Sequence, residues 1–144
     1  MSRRSCLCLG VVLAAGVVGC GRAPTPPAGT GAREAAQTYA EAIVRRDWAR
    51  AYSALGEETR GRYTLGQFTR AAEGYRRHLG MEPTSVRIEA CEENGREAVA
   101  HFAFIGRDAH RPRRFKDALV LRQGGGGWGV VLPSDFGHAP APRP

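Results

Sequence analysis

The sequence predicts an α+β domain, with N-terminal helices packed on one face of a curved antiparallel sheet of about four strands. Three observations lead there. Apolar residues recur at helical spacing between residues 33 and 80. Beyond that they alternate with polar residues around Asn94-Gly95, a strong short-range hairpin signal. No strand–helix–strand rhythm occurs, which argues against a parallel sheet built from crossover units.

The chain opens on an export layout. In MSRRSCLCLGVVLAAGVVGC, residues 1–20, Arg3 and Arg4 form a positive start, Cys6 to Val18 carry no charge, and small Gly19 precedes Cys20. The apolar run is shorter than the roughly 20 residues a membrane-spanning helix needs. The stretch VVGC at 17–20 resembles the lipobox of bacterial lipoproteins. That resemblance implies a signal peptide at 1–19, cleavage before Cys20, and acyl chains (diacylglyceryl and palmitate-like) on the new N-terminus. Each buried methylene contributes only about 0.8 kcal/mol, so lasting anchorage takes at least two chains on that residue. The address implied is the cell envelope, facing the periplasm. Gly21 replaces the aspartate that retains many lipoproteins at the inner membrane, which favours the outer one.

Of the 4 cysteines, Cys6 and Cys8 then leave with the signal, Cys20 carries lipid, and Cys91 has no partner for an intrachain disulfide. Export also removes nucleic acid as a partner for a chain of formal charge +7, leaving the membrane, acidic wall polymers and envelope proteins. Residues 20–32, rich in proline and glycine, read as a tether extending on the order of 30 Å. Residues 134–144 lack periodicity and read as a disordered tail. The folded domain is assigned to 33–133.

Within it, Ala36, Tyr39, Ala40 and Ile43 form one helical stripe. Asp47 is placed to cap a second helix carrying Trp48, Tyr52 and Leu55, and the charged EETRGR breaks the pattern. Thr64 and Gln67 form a capping box before a helix with Phe68, Ala72, Tyr75 and Leu79 on one face, ending at Gly80. A two-residue turn at Asn94-Gly95 sets Glu93 opposite Arg96 and Ile88 opposite His101. Val86, Ile88, Ala90, Val99, His101, Ala103 and Ile105 then face the helices, while Phe102 and Phe104 lie on the outer face. Two more strands, RFKDALVLR and WGVVL, flank QGGGG, which lacks the Lys-Ser/Thr of a phosphate loop.

The succession AAQTYAEAIVRRDWARAYSAL, TLGQFTRAAEGY and strands ending in GGGWGVVL resembles the nuclear-transport-factor-2-like (cystatin-like) superfamily over residues 33–133. Asp47-Trp48, Tyr52 and Trp128 carry the resemblance, and small bacterial lipoproteins and the helper domain of some penicillin-binding transpeptidases are especially similar. It implies a cone-shaped cavity between helices and sheet, which some members use for catalysis and others for binding.

The residues expected to line that cavity are Tyr39, Tyr52, Phe68, Tyr75 and His101. One register of the third strand sets His101 beside Asp117, a pair suited to general-base catalysis, with a tyrosine hydroxyl as donor. In the alternative, His101 is a satisfied buried residue and Asp117 pairs with Arg114, Lys116 or Arg122. Arg107, Arg111, Arg113, Arg114 and Lys116 form a basic patch that reads either as a contact for anionic surfaces or as a solvated loop. No metal-ligand spacing and no GxSxG nucleophile motif appear, and no cofactor is expected. The leading reading is a lipid-anchored, non-catalytic module binding a small apolar molecule or an envelope protein, with dimerisation through the outer sheet face. The alternatives are a small isomerase or lyase using His101 and Asp117, and an accessory domain for cell-wall enzymes.

Overall fold

The computed structural model describes residues 29–109 and 111–138; the export segment, Cys20, most of the tether and residues 139–144 lie outside them. Helix α1 (Ala32–Arg45) buries Ala36, Tyr39, Ala40 and Ile43, the stripe its period predicts. Asp47 caps α2 (Trp48–Ser53), its carboxylate accepting from the Arg50 amide at 3.1 Å. The EETRGR segment, expected to be irregular, instead forms a short helix α3 (Glu57–Arg62). Its Thr59 is fully buried and accepts from the Leu132 amide at 3.3 Å, so the segment is held by a tertiary bond that no local pattern signals.

Helix α4 (Leu65–His78) begins at the predicted capping box: Thr64 Oγ1 accepts from the Gln67 amide at 3.3 Å, and Gln67 Oε1 from the Thr64 amide at 2.8 Å. Phe68, Ala72 and Leu79 are buried, but Leu65 in the first turn stays 43% exposed. Arg76 crosses from α4 to the end of α1. Its guanidinium donates to the carbonyls of Ile43 at 2.8 Å and Val44 at 3.0 Å and pairs with Glu82. Those carbonyls belong to the last turn of α1, where a buried cation complements the amide of Arg46, which donates to Ile43 at 3.3 Å.

The strands β1 (Glu82–Asn94), β2 (Glu97–Asp108), β3 (Arg111–Gly124) and β4 (Gly127–Val131) follow as an antiparallel meander in sequence order. Helices followed by a four-stranded antiparallel sheet make the expected α+β architecture.

The sheet's faces differ from the sequence reading, for two local reasons. The first turn is Gly95-Arg96, one residue later than expected: Asn94 pairs with Glu97, and Gly95 alone takes positive φ (62°), as a glycine-first hairpin turn requires. A β-bulge between Ile88 and Ala90 then shifts the ladder again, so that Ile88 opposes Phe102 and Val86 opposes Phe104. Since side chains alternate with period two, β2 turns over. Ala98, Ala100, Phe102 and Phe104 pack against the helices, whereas His101 and Ile105 face outward and are exposed.

Both domain edges also move. Thr30, assigned to the tether, donates through its hydroxyl to Glu93 at 2.8 Å and accepts from Trp128 Nε1 at 2.7 Å. Ser134–His138, assigned to the tail, folds back so that Phe136 is only 8% exposed, stacked on Phe68 at 6.2 Å and against Tyr75 at 5.3 Å. The backbones meet closely there: a Cβ on Gly74 would lie 2.5 Å from the Gly137 carbonyl oxygen, so glycine is needed for the segment to dock.

Candidate functional site

Between α1, α4, the inner face of β2–β3 and the returning segment lies a cavity of about 420 Å³. Its walls are mainly aromatic and apolar, with Phe102 and Phe104 from β2, Phe115 and Leu119 from β3, and Leu132 and Phe136 from the chain after β4. Phe102 and Phe104 stand two residues apart on one strand face, their rings edge to face at 5.1 Å. Helices α1 and α4 contribute Tyr39 and Tyr75.

The polar groups converge on β3. Tyr75 Oη donates to Asp117 Oδ2 at 2.8 Å, and the Ala118 amide donates to Asp117 Oδ1 at 2.8 Å. Tyr39 is only 3% exposed, and its hydroxyl has no hydrogen-bond partner. Burial pushes the Tyr39 phenol far above the usual tyrosine range, and the neighbouring Asp117 charge and Tyr63 push it further the same way. Tyr75 is shifted upward too, by burial first and then by the charge and hydrogen bond of Asp117. Both phenols stay protonated at neutral pH and remain hydrogen-bond donors. An apolar chamber with a carboxylate and an unengaged hydroxyl in its wall is built to orient a ligand of a few apolar rings or chains with one polar end.

Of the residues expected to line the cavity, Tyr39 and Tyr75 do. Tyr52 does not; its hydroxyl donates to the Tyr63 carbonyl at 2.8 Å, bracing the α3–α4 junction. Phe68 is core, fully buried beneath Phe136. His101 is neither buried nor in the cavity. It pairs across the sheet with Ala118, while Asp117 opposes Phe102, so imidazole and carboxylate lie on opposite faces. The reason is a tight β2–β3 turn: Asp108 pairs with Arg111, which moves the register by one residue from the one that joins His101 to Asp117. The proposed His–Asp catalytic pair therefore does not form.

The basic patch occupies the far end of the β2–β3 hairpin, where Arg107, Arg111, Arg113, Arg114 and Lys116 are all exposed. Two carboxylates balance part of its charge locally. Arg113 reaches Asp108 at 3.4 Å, and Glu89 at the bulge takes both Arg114 and Lys116. The outer sheet face lacks the two phenylalanines expected there and instead carries Val99, Val120 and Ile105, so the aromatic basis for pairing two copies is absent. Among the described residues no group of three His, Cys, Asp or Glu side chains is placed to hold a metal ion, and no helix is long and apolar enough to cross a membrane. Sequence reasoning missed Phe136 and Asp135, which lie in a segment without periodicity, and misplaced Phe102 and Phe104.

Comparison of the sequence with family models and with curated proteins gives no match. Solved structures do resemble the fold. A SEC-C motif containing protein from Psychrobacter arcticus superposes with a TM-score of 0.50 at 10% identity, over 67% of this chain and 55% of that one. A SEC-C motif containing protein from Rhodopseudomonas palustris gives 0.49 at 13% identity, over 65% of this chain and 69% of that one. An NTF-2 like protein of unknown function from Shewanella oneidensis gives 0.45 at 9% identity, over 67% and 88%. This chain spans little more than half the length of the Psychrobacter protein, and at such identities likeness concerns the fold alone.

Proposed function

We propose that this chain is a non-catalytic binding module whose cavity receives a small, mainly apolar molecule, and that Cys20 carries the lipid that holds the module to a cell envelope. The observation that carries the binding reading is the cavity of about 420 Å³ with the buried, unpartnered Tyr39 hydroxyl in its wall. A buried hydroxyl without a partner costs about 1–3 kcal/mol, a cost a ligand accepting its hydrogen bond removes. Separation of His101 from Asp117 leaves the isomerase or lyase reading without its base, which favours binding over catalysis. The lipid reading rests on the lipobox-like VVGC and the apolar run before it.

The two halves are tested separately. Leu119→Trp places an indole in the cavity, where it should abolish uptake of a hydrophobic fluorescent probe while the far-ultraviolet dichroism keeps its native form. Unchanged uptake in a folded Leu119→Trp chain contradicts the cavity reading. For the anchor, mass spectrometry of the chain from bacterial membranes should show a processed, acylated Cys20, and Cys20→Ser should release the chain to the soluble fraction. An unmodified thiol at Cys20 contradicts it.

A further inference from the structure

The cavity is an electrostatic exception in this chain. The sequence carries 21 Lys and Arg against 14 Asp and Glu, yet the cavity wall holds two aspartates, Asp117 and Asp135, and no lysine or arginine. Its other titratable side chains are the phenols of Tyr39 and Tyr75 and, with Asp135 on the returning side, the exposed imidazoles of His78 and His138.

Six of the 14 acids in the sequence are paired with a cation among the described residues. Glu41, Glu58, Glu82, Glu89, Glu97 and Asp108 each have an arginine or lysine partner. Asp117 has none among the described residues, although Lys116 is its neighbour in sequence and Arg114 and Arg122 are on the same strand. Alternation on β3 and the acids beyond it explain this. Arg114 and Lys116 point to Glu89 on the outer face, and Arg122 is taken by Glu58 and Glu97. The Asp117 carboxylate accepts two hydrogen bonds, from Tyr75 and from the Ala118 amide, and a carboxylate offers roughly four acceptor positions. It therefore keeps spare lone pairs, exposed at a wall of phenylalanine and tyrosine whose ring faces also attract cations.

We infer that the ligand is an organic ammonium ion: a protonated amine on an apolar body that lies against Phe102, Phe104 and Phe115, with its N–H groups donating to Asp117. The inference rests on the reading of the cavity as a ligand site and names the chemistry of its occupant. A bare metal ion is a poor fit, since it needs several oxygen donors where the wall offers rings. An anion meets two aspartates and no lysine or arginine.

The test is a calorimetric titration of the purified full-length chain with three probes of one shape: 4-phenylbutylamine, 4-phenylbutanol and 4-phenylbutyrate. The amine should bind about tenfold or more tightly than the alcohol, the ratio a charge-assisted hydrogen bond commonly supplies, and the carboxylate should bind worst. Asp117→Asn should bring the amine-to-alcohol ratio below about twofold while leaving the alcohol's own affinity in place. Tyr75→Phe, which keeps the ring and frees one carboxylate lone pair, should preserve or increase the ratio. Alcohol binding as tightly as amine in the wild-type chain overturns the charge inference and leaves the cavity reading standing. Failure of all three probes to bind overturns both. The wild-type comparison decides the matter even if an Asp117 variant does not fold.

Discussion

Replacing Tyr39 with phenylalanine should stabilise the free protein. The ring lies in the core of α1 with 3% of its surface exposed, and its hydroxyl meets no acceptor. Phenylalanine keeps the packing and removes a group whose unmet hydrogen bond costs about 1–3 kcal/mol when buried. The low end applies, as for a single neutral hydroxyl. A gain of about 1 kcal/mol is expected, which raises Tm by about 4 °C in a domain of roughly 100 residues. Tyr75→Phe should do the reverse. Its hydroxyl donates to Asp117 at 2.8 Å, and losing that bond in a partly open cavity should cost about 1 kcal/mol. Urea titrations of the three chains at unchanged slope give both signs directly. A loss of 1 kcal/mol or more on Tyr39→Phe would refute the reasoning, since it would mean that the hydroxyl is satisfied in the folded chain.

Alkali should weaken the fold through the same two phenols. Both are held protonated in the folded chain, so the unfolded chain releases protons that the folded one retains once pH passes the ordinary tyrosine value of about 10. Their contribution is intact below that pH and falls as pH rises beyond it; thermal melts on either side should show the loss, and it should be smaller in Tyr39→Phe. Arg76→Ala should destabilise by about 3 kcal/mol, because it leaves the Ile43 and Val44 carbonyls and Glu82 without their buried donor; equilibrium unfolding measures it, and a change under 1 kcal/mol would contradict the cross-tie between α1, α4 and β1. Phe136→Ala should cost about 3 kcal/mol, the low end for a buried phenylalanine because the ring keeps 8% of its surface exposed; limited proteolysis should then cut after Leu132 first.

The helical half was legible because its signals are local. The stripe of α1, the Asp47 cap and the Thr64–Gln67 box each lie within a few residues, and each is observed where its chemistry places it. The sheet was legible in strand number and order but not in facing. Asn94-Gly95 marks the right hairpin, yet the turn closes one residue later, and the bulge beside Glu89, which sets Ile88 and Val86 opposite Phe102 and Phe104, has no residue-type signal in the sequence. One such slip exchanges faces, which is why Asp117 was identified as a candidate but joined to His101 instead of Tyr75. Phe136 shows a different limit. A single phenylalanine after Pro133 has no period, so only the hydrophobic surface that awaits it on Phe68 and Tyr75 reveals its role.

The most direct measurement is an NMR titration of the isotope-labelled full-length chain with 4-phenylbutanol, which probes the cavity without calling on charge. The amides of Phe102, Phe104, Asp117, Leu119 and Phe136 should shift together and saturate, while those of Val99, Val120 and Ile105 on the outer sheet face stay in place. Shifts centred on the outer face, or none at all, would contradict a ligand-binding cavity between the helices and the sheet.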